Sequence, residues 1–189
     1  DDIYFRNGEP EESKGYCTDV FFDEAISFIN KNKENPFLCF LSLNAPHSPF
    51  NVPREYYELY ENEIDLLESQ KRFYGMITNI DDNFGRLHQQ VESLGILDNT
   101  IIIFTTDNGT SNGYKYSKKD KKWLGFNAGM RGTKTSEYDG GHRVPFIIKW
   151  KKGGLFGGHN YSGLSAHVDM LPTLLSFAKI AFNSTKKID

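Results

Sequence analysis

Apolar residues in this chain recur at helical spacing in some stretches and run unbroken in others. In TDVFFDEAISFINKNK, Phe22, Ala25, Ile26 and Ile29 fall on one face of a 3.6-residue period, which predicts an amphipathic helix over 19–32. Asn35-Pro36 ends it, since a residue before proline is pushed out of the helical region. PFLCFLSL, 36–43, is a short continuous apolar run and predicts a strand covered on both faces. The longest pattern covers 64–94. There Phe73, Ile77, Ile80, Phe84, Leu87, Val91 and Leu94 step by four and three along one stripe, and Gly95 stands where a helix would close. TIIIFTT (100–106) and VPFIIKW (144–150) predict two further strands. DMLPTLLSFAKIA (169–181) predicts a last helix with Pro172 in its first turn, where a missing N–H removes no bond. Residues 1–16, the proline-rich NAPHSPFNVPREYY and the region around Lys115–Lys122 read as loop.

This order of elements predicts an α/β fold with helices on both faces of a sheet. In such sheets ligands collect beyond the carboxyl ends of strands. Three features are expected there: the loop after 37–43, the Asp107-Asn108 pair after 100–106, and the Gly-rich segment that leads into 144–150.

Composition narrows the partners. With 189 residues, 38% hydrophobic and 25% charged, the chain is long enough for one ordinary soluble domain. A net charge of −3 gives no argument for a nucleic-acid or anionic-membrane partner, and neither is expected. No apolar run approaches the roughly 18 residues that span a bilayer, and no signal peptide is visible. The abrupt opening, DDIYFRNGEPEESKGY, reads as the middle of a polypeptide, so a piece of something longer is expected. Two cysteines, Cys17 and Cys39, make neither a disulfide framework nor a zinc site. Asn160-Tyr-Ser and Asn183-Ser-Thr fit the glycosylation triplet, a pattern common by chance.

Three segments carry candidate chemistry. Asp107-Asn108-Gly109 is first a turn signal, repeated at Asn112-Gly113, and on spacing alone the turn leads. Its functional reading is a hard-cation site, because carboxylate and amide both offer oxygens. Calcium takes about six to eight oxygens, so most ligands would lie elsewhere. His47, between Pro46 and Pro49, is either part of a rigid surface turn or an imidazole placed to touch an anion or hand over a proton. MRGTKTSEYDGGHRVPF, 130–146, brackets glycines with Arg131, Lys134, His142 and Arg143. That suits close approach of an anionic ligand, although a solvated loop is the favoured reading on its own.

In order and separation, GYCTDVFFDEAISFI, PFLCFLSLNAPHSPF, NIDDNFGRL, LGILDNTIIIFTTDNG, MRGTKTSEYDGGHRVPFIIKW and AHVDMLPTLLSFAKI together resemble the sulfatase family over residues 15–181. The resemblance implies an alkaline-phosphatase-like α/β fold and hydrolysis of sulfate esters of small molecules or glycans. It also implies a calcium ion, with Mg2+ as the alternative, and a formylglycine nucleophile. By the same resemblance Asp107 and Asn108 are metal ligands. His47 meets the sulfate and leaving-group region, Lys134 meets the sulfate and bridging oxygen, and His142 is a weaker substrate contact. Periplasmic, secreted or lysosomal location follows from the family's habit alone.

The departures matter equally. No Cys/Ser-x-Pro/Ala-x-Arg nucleophile motif occurs in the 189 residues. The expected organisation is therefore a partial catalytic domain over 1–189, without the nucleophile region and the C-terminal subdomain. Such a chain should turn over no sulfate ester by itself, and it should pair with the remainder of its polypeptide or with its own copies. A phosphate or phosphonate ester hydrolase of the same superfamily and a catalytically inert fragment are the alternatives. The sulfatase reading requires that the imidazole, the ammonium and the two oxygen donors line one pocket.

Overall fold

The computed structural model describes residues 2–181. The Asn183 triplet lies outside them. The chain divides into two compact units, Asp1–Leu155 and Phe156–Asp189.

The first unit opens on an antiparallel hairpin, β1 (Asp2–Arg6) and β2 (Glu9–Ser13), where the sequence read as loop. Arg6 pairs with Glu9, so Asn7 and Gly8 alone form the turn. Both have positive φ, 54° and 93°, as a type I′ turn demands. Helix α1 (Cys17–Asn32) follows and buries Phe22, Ala25 and Ile29, which is the expected face. A short helix, α2 (Arg54–Glu58), precedes the long α3 (Glu68–Ser93). Gly95 N donates to Glu92 O and Ile96 N to Val91 O, the paired bonds of a Schellman closure.

The buried face of α3 is not the apolar stripe alone. Gln70, Asn79 and Asn83 are at most 2% exposed, whereas Ile77 is 40% exposed. The nitrogens of these buried amides have partners, although Asn79 Oδ1 is buried without one among the described residues. Asn79 Nδ2 and Asn83 Nδ2 both donate to Asp19 Oδ1 on α1, at 2.8 and 2.7 Å. Further along, Arg86 bonds Asp23 and Gln90 bonds Asn30, so polar side chains zip the two helices beside their apolar contact. Of the stripe, Phe84 packs edge-on against Phe104 of the sheet and Phe73 against Phe50.

Strand β3 (Ile102–Thr105) pairs antiparallel with β6 (Phe146–Lys149). Between them lie the hairpin β4 (Tyr114–Ser117) and β5 (Lys122–Gly125), in the lysine-rich region read as loop, and the one-turn helix α4 (Asp139–His142). The expected strand at 36–43 is absent: this segment joins no ladder among the described residues. Leu38 and Phe40 are 78% and 86% exposed, while Phe37, Cys39, Leu41 and Leu43 are half-buried. The period of two is that of a strand covered on one face, with no neighbour to pair its backbone. In the second unit a 3-10 turn, His167–Asp169, leads into α5 (Met170–Phe177), shorter than the 169–181 helix expected. No helix among the described residues is long and apolar enough to cross a membrane.

Candidate functional site

The antiparallel pairing of β3 with β6 sets the site. Thr105 at the end of β3 lies opposite Phe146 at the start of β6. The chain leaving β3 and the chain entering β6 are thus at the same end of the ladder, where a parallel pair would have put them at opposite ends. Main-chain bonds then lock them. Gly109 N donates to Gly141 O (2.9 Å), Lys134 N to Thr110 O (2.9 Å) and Gly140 N to Arg131 O (2.8 Å).

Glycine is what permits this approach. A Cβ on Gly109 would lie 1.9 Å from Gly140 O, and one on Gly140 would lie 2.0 Å from Gly132 O. The glycines of 130–146 therefore let backbone meet backbone, which differs from the ligand approach their sequence suggested. Asn108-Gly109 is likewise no hairpin turn; Asn7-Gly8 is.

The lock carries four of the five candidate residues. Asp107 is exposed and Asn108 half-buried. Asn108 Nδ2 donates to Gly109 O at 3.3 Å. Among the described residues the Asp107 carboxylate and Asn108 Oδ1 have no hydrogen-bond or ion-pair partner. Lys134 is half-buried, pinned by its main chain beside the tip, and its ammonium forms no ion pair among the described residues. His142 Nε2 lies 3.0 Å from Glu137 O.

His47 sits on a different loop. Its Nδ1 is 2.9 Å from Ser48 O, and its main-chain N–H donates to Asn44 O. Because a carbonyl only accepts, Nδ1 carries the hydrogen and Nε2 is left to accept or transfer a proton. Both X-Pro bonds around it, Ala45-Pro46 and Ser48-Pro49, are cis. No hydrogen bond among the described residues ties His47 to Asp107, Asn108 or Lys134. The two loops instead share a support. Phe50 packs edge-on against Phe73, and Phe73 Cε1 is 3.1 Å from where a Cβ on Gly113 would stand.

A hard cation fits the tip, since two oxygen acceptors stand there without a protein donor. Two side chains do not complete a coordination shell, and no group of three or more His, Cys, Asp or Glu gathers among the described residues. The tip offers two oxygens of a coordination shell that the described residues do not complete. A groove of about 480 Å³ between Arg131, Tyr138 and Arg143 lies nearby in sequence, but none of the five candidate residues lines it. Arg131 is spent there on the Tyr138 ring, 3.6 Å from its centroid.

Sequence reasoning missed Thr110, whose carbonyl holds Lys134 and whose hydroxyl accepts from Gly113 N at 2.8 Å. It also missed the β4–β5 hairpin that this bond roots. The signal was present as alternation in Tyr114-Lys115-Tyr116-Ser117 and Lys122-Trp123-Leu124-Gly125.

An α/β fold with an unpartnered carboxylate and amide oxygen at a strand tip, and Lys134 pinned alongside, is what the class must accommodate. Comparison with known proteins supplies the family. The sulfatase family profile matches residues 2–180. The chain is 32% identical to the uncharacterized sulfatase YdeN of Escherichia coli (strain K12), over 98% of this chain and 31% of that protein. It is 28% identical to human N-acetylgalactosamine-6-sulfatase, over 91% of this chain and 30% of that enzyme. The crystal structure of Ps i-CgsB in complex with k-i-k-neocarrahexaose superposes with a TM-score of 0.81 at 29% identity, over 97% of this chain and 38% of that one. The chain belongs to the sulfatase family, and its fold is alkaline-phosphatase-like α/β. It spans about a third of the length of the curated relatives it matches. Membership implies a metal ion and a formylglycine.

Proposed function

We propose that this chain supplies one side of the active site of a sulfuric ester hydrolase acting on a sulfated small molecule or glycan. The observation that carries the reading is the Asp107-Asn108 oxygen pair, unpartnered and locked by Gly109 against the segment that bears Lys134. Bound calcium, or magnesium in its place, would withdraw charge from the sulfate, and formylglycine would supply the nucleophile.

The chain's own residues do the rest. Asp107 and Asn108 hold the metal from one side. The Lys134 ammonium stands by the bridging oxygen and offsets the negative charge that grows as the S–O bond breaks, so it acts most strongly in the transition state. His47, with Nδ1–H committed to Ser48 O, presents Nε2 outward, and in its protonated form gives that proton to the departing oxygen. His142 lies beside the lock and touches the part of the substrate that reaches over it. No residue of this chain begins a nucleophile motif, so the chain alone turns over nothing.

The test is hydrolysis of a chromogenic aryl sulfate by a polypeptide that joins this chain to a Cys/Ser-x-Pro/Ala-x-Arg nucleophile. Turnover should stop on chelation and return with calcium. Lys134→Ala should lower kcat by about a hundredfold or more. Turnover of the matching aryl phosphate with none of the sulfate would reject the proposal in favour of a phosphoester hydrolase.

A further inference from the structure

The β4–β5 hairpin presents groups that the site above does not use. Tyr116 pairs with Trp123 across it, and Tyr114 sits two residues away on the same face. The Tyr114 and Trp123 rings stack at 4.9 Å and 15°, and Tyr116 meets Trp123 edge-on at 5.8 Å. Trp123 is 53% exposed and Tyr116 46%. The opposite face is buried through Leu124 and Ser117.

The hairpin is also held firmly. Gln70 Nε2 donates to Leu124 O (2.8 Å) and the Tyr74 hydroxyl to Gly113 O (2.6 Å). Thr110 bonds both Gly113, at the hairpin's foot, and Lys134. A fixed aromatic face thus rises from the loop that carries the metal donors.

Its turn is a separate observation. Asp120 is folded inward onto the Ser117 hydroxyl at 2.6 Å. Lys118, Lys119 and Lys121 are exposed and form no ion pair among the described residues, whereas Lys122 is paired with Asp65 at 2.8 Å. Cross-strand aromatic pairs stabilise any two-stranded hairpin. That accounts for Tyr114 on Trp123. It does not account for three lysines without an ion pair on a turn whose one acid is bonded to Ser117. Flat aromatic faces take the apolar side of a pyranose ring, and clustered ammonium groups take its anionic substituents.

We propose that the 114–125 hairpin is a binding platform for a sulfated glycan chain. The face of Trp123 not stacked on Tyr114 takes a sugar flanking the scissile sulfate, with Tyr116 edge-on beside it, and Lys118, Lys119 and Lys121 hold neighbouring sulfate or carboxylate groups. The substrate class rests on the sulfatase reading, but the test below involves no turnover.

Binding of a chondroitin sulfate hexasaccharide and a carrageenan hexasaccharide is measured calorimetrically, against their desulfated counterparts and an oligo-dT of equal charge. Trp123→Ala should weaken the sulfated ligands about tenfold, with Trp123→Tyr restoring most of the loss. Lys118, Lys119 and Lys121 replaced together by Gln should weaken them about tenfold and flatten the salt dependence. Should Trp123→Ala disturb the near-UV spectrum, the lysine variant, confined to the exposed turn, decides alone. Unchanged affinity in the lysine variant, equal binding of the desulfated sugars, or equal binding of oligo-dT each overturns the platform. Aryl sulfate turnover is a separate measurement. If it fails while glycan binding depends on the hairpin, the hydrolase reading falls and the platform stands.

Discussion

Asp107 carries no hydrogen bond or ion pair among the described residues, while Gly109, two residues on, is pressed against the Gly140–Gly141 backbone. The two positions should therefore respond in opposite ways. Asp107→Ala removes no contact, and urea unfolding should move within about 0.5 kcal/mol of wild type. Gly109→Ala forces a methyl to within 1.9 Å of Gly140 O. Backbone on both sides cannot yield as a flexible side chain would, so a loss of about 1–3 kcal/mol is expected. A stable Gly109→Ala protein would show that the interlock is looser than its geometry. The same contrast marks what sequence could say about the site. Asp107, Asn108, His47, Lys134 and His142 are singled out by residue type near predicted strand ends and by family resemblance. The role of Gly109 and Gly140 was not legible, because close approach of two backbone segments about 30 residues apart leaves no local pattern.

At the scale of elements, periodicity located α1 and α3 well and misjudged what α3 buries. Amides at 70, 79 and 83 do not register in an apolar stripe: Asn79 and Asn83 are buried against Asp19, and Gln70 against Leu124 O. Asp19→Ala leaves the buried Asn79 Nδ2 without its acceptor and Asn83 Nδ2 with Asn79 O alone, a loss of about 1–3 kcal/mol. Asp19→Asn, which keeps one oxygen acceptor, should recover part of it; equal urea midpoints for wild type and Asp19→Ala would refute the arrangement. The β1–β2 hairpin escaped because its turn pair, Asn7-Gly8, lies in a strongly polar stretch with little alternation to flag its strands.

That hairpin docks on α1 through Arg6, whose guanidinium bonds both oxygens of Glu24 at 2.8 and 2.6 Å, and through Tyr4 on Phe21. The Arg6 hydrogen bond holds the Glu24 carboxyl below its ordinary value, against the opposing effect of partial burial. A depressed carboxyl stabilises the docked form above the unfolded value, about 4.3, and that stabilisation is lost as pH falls through the lower folded value. Both side chains are about half exposed, so solvent screens the pair and its contribution is small. Hydrogen exchange of the β1–β2 amides should accelerate below about pH 4 relative to α3, once the intrinsic pH dependence of exchange is removed. Glu24→Gln should abolish that extra dependence.

For the molecule as a whole, the segment 36–43 decides behaviour in solution. Sequence marked it as a strand covered on both faces, and its composition is what such a strand has. The structure covers one face: Phe37 packs edge-on against Phe28, while Leu38 and Phe40 stand 78% and 86% exposed. On β6, Phe146 and Ile147 are exposed too, at 44% and 62%, and β3–β6 is a ladder of only two strands. Two-stranded ladders are marginal, and apolar segments with unpaired backbone recruit other chains. A single surface leucine would mean nothing; alternating Leu38 and Phe40 on an unpaired run present both the side chains and the main-chain groups that another strand needs. The 189-residue chain alone should therefore self-associate at tens of micromolar, as judged by sedimentation velocity with ~10-fold dilution steps. Leu38→Lys with Phe40→Lys places charges on that face, keeps Phe37 and Cys39 on the covered one, and should shift the chain toward monomer with little change in helicity. A wild-type chain that sediments as a monomer and melts sharply would mean that this run is satisfied in some way other than strand pairing.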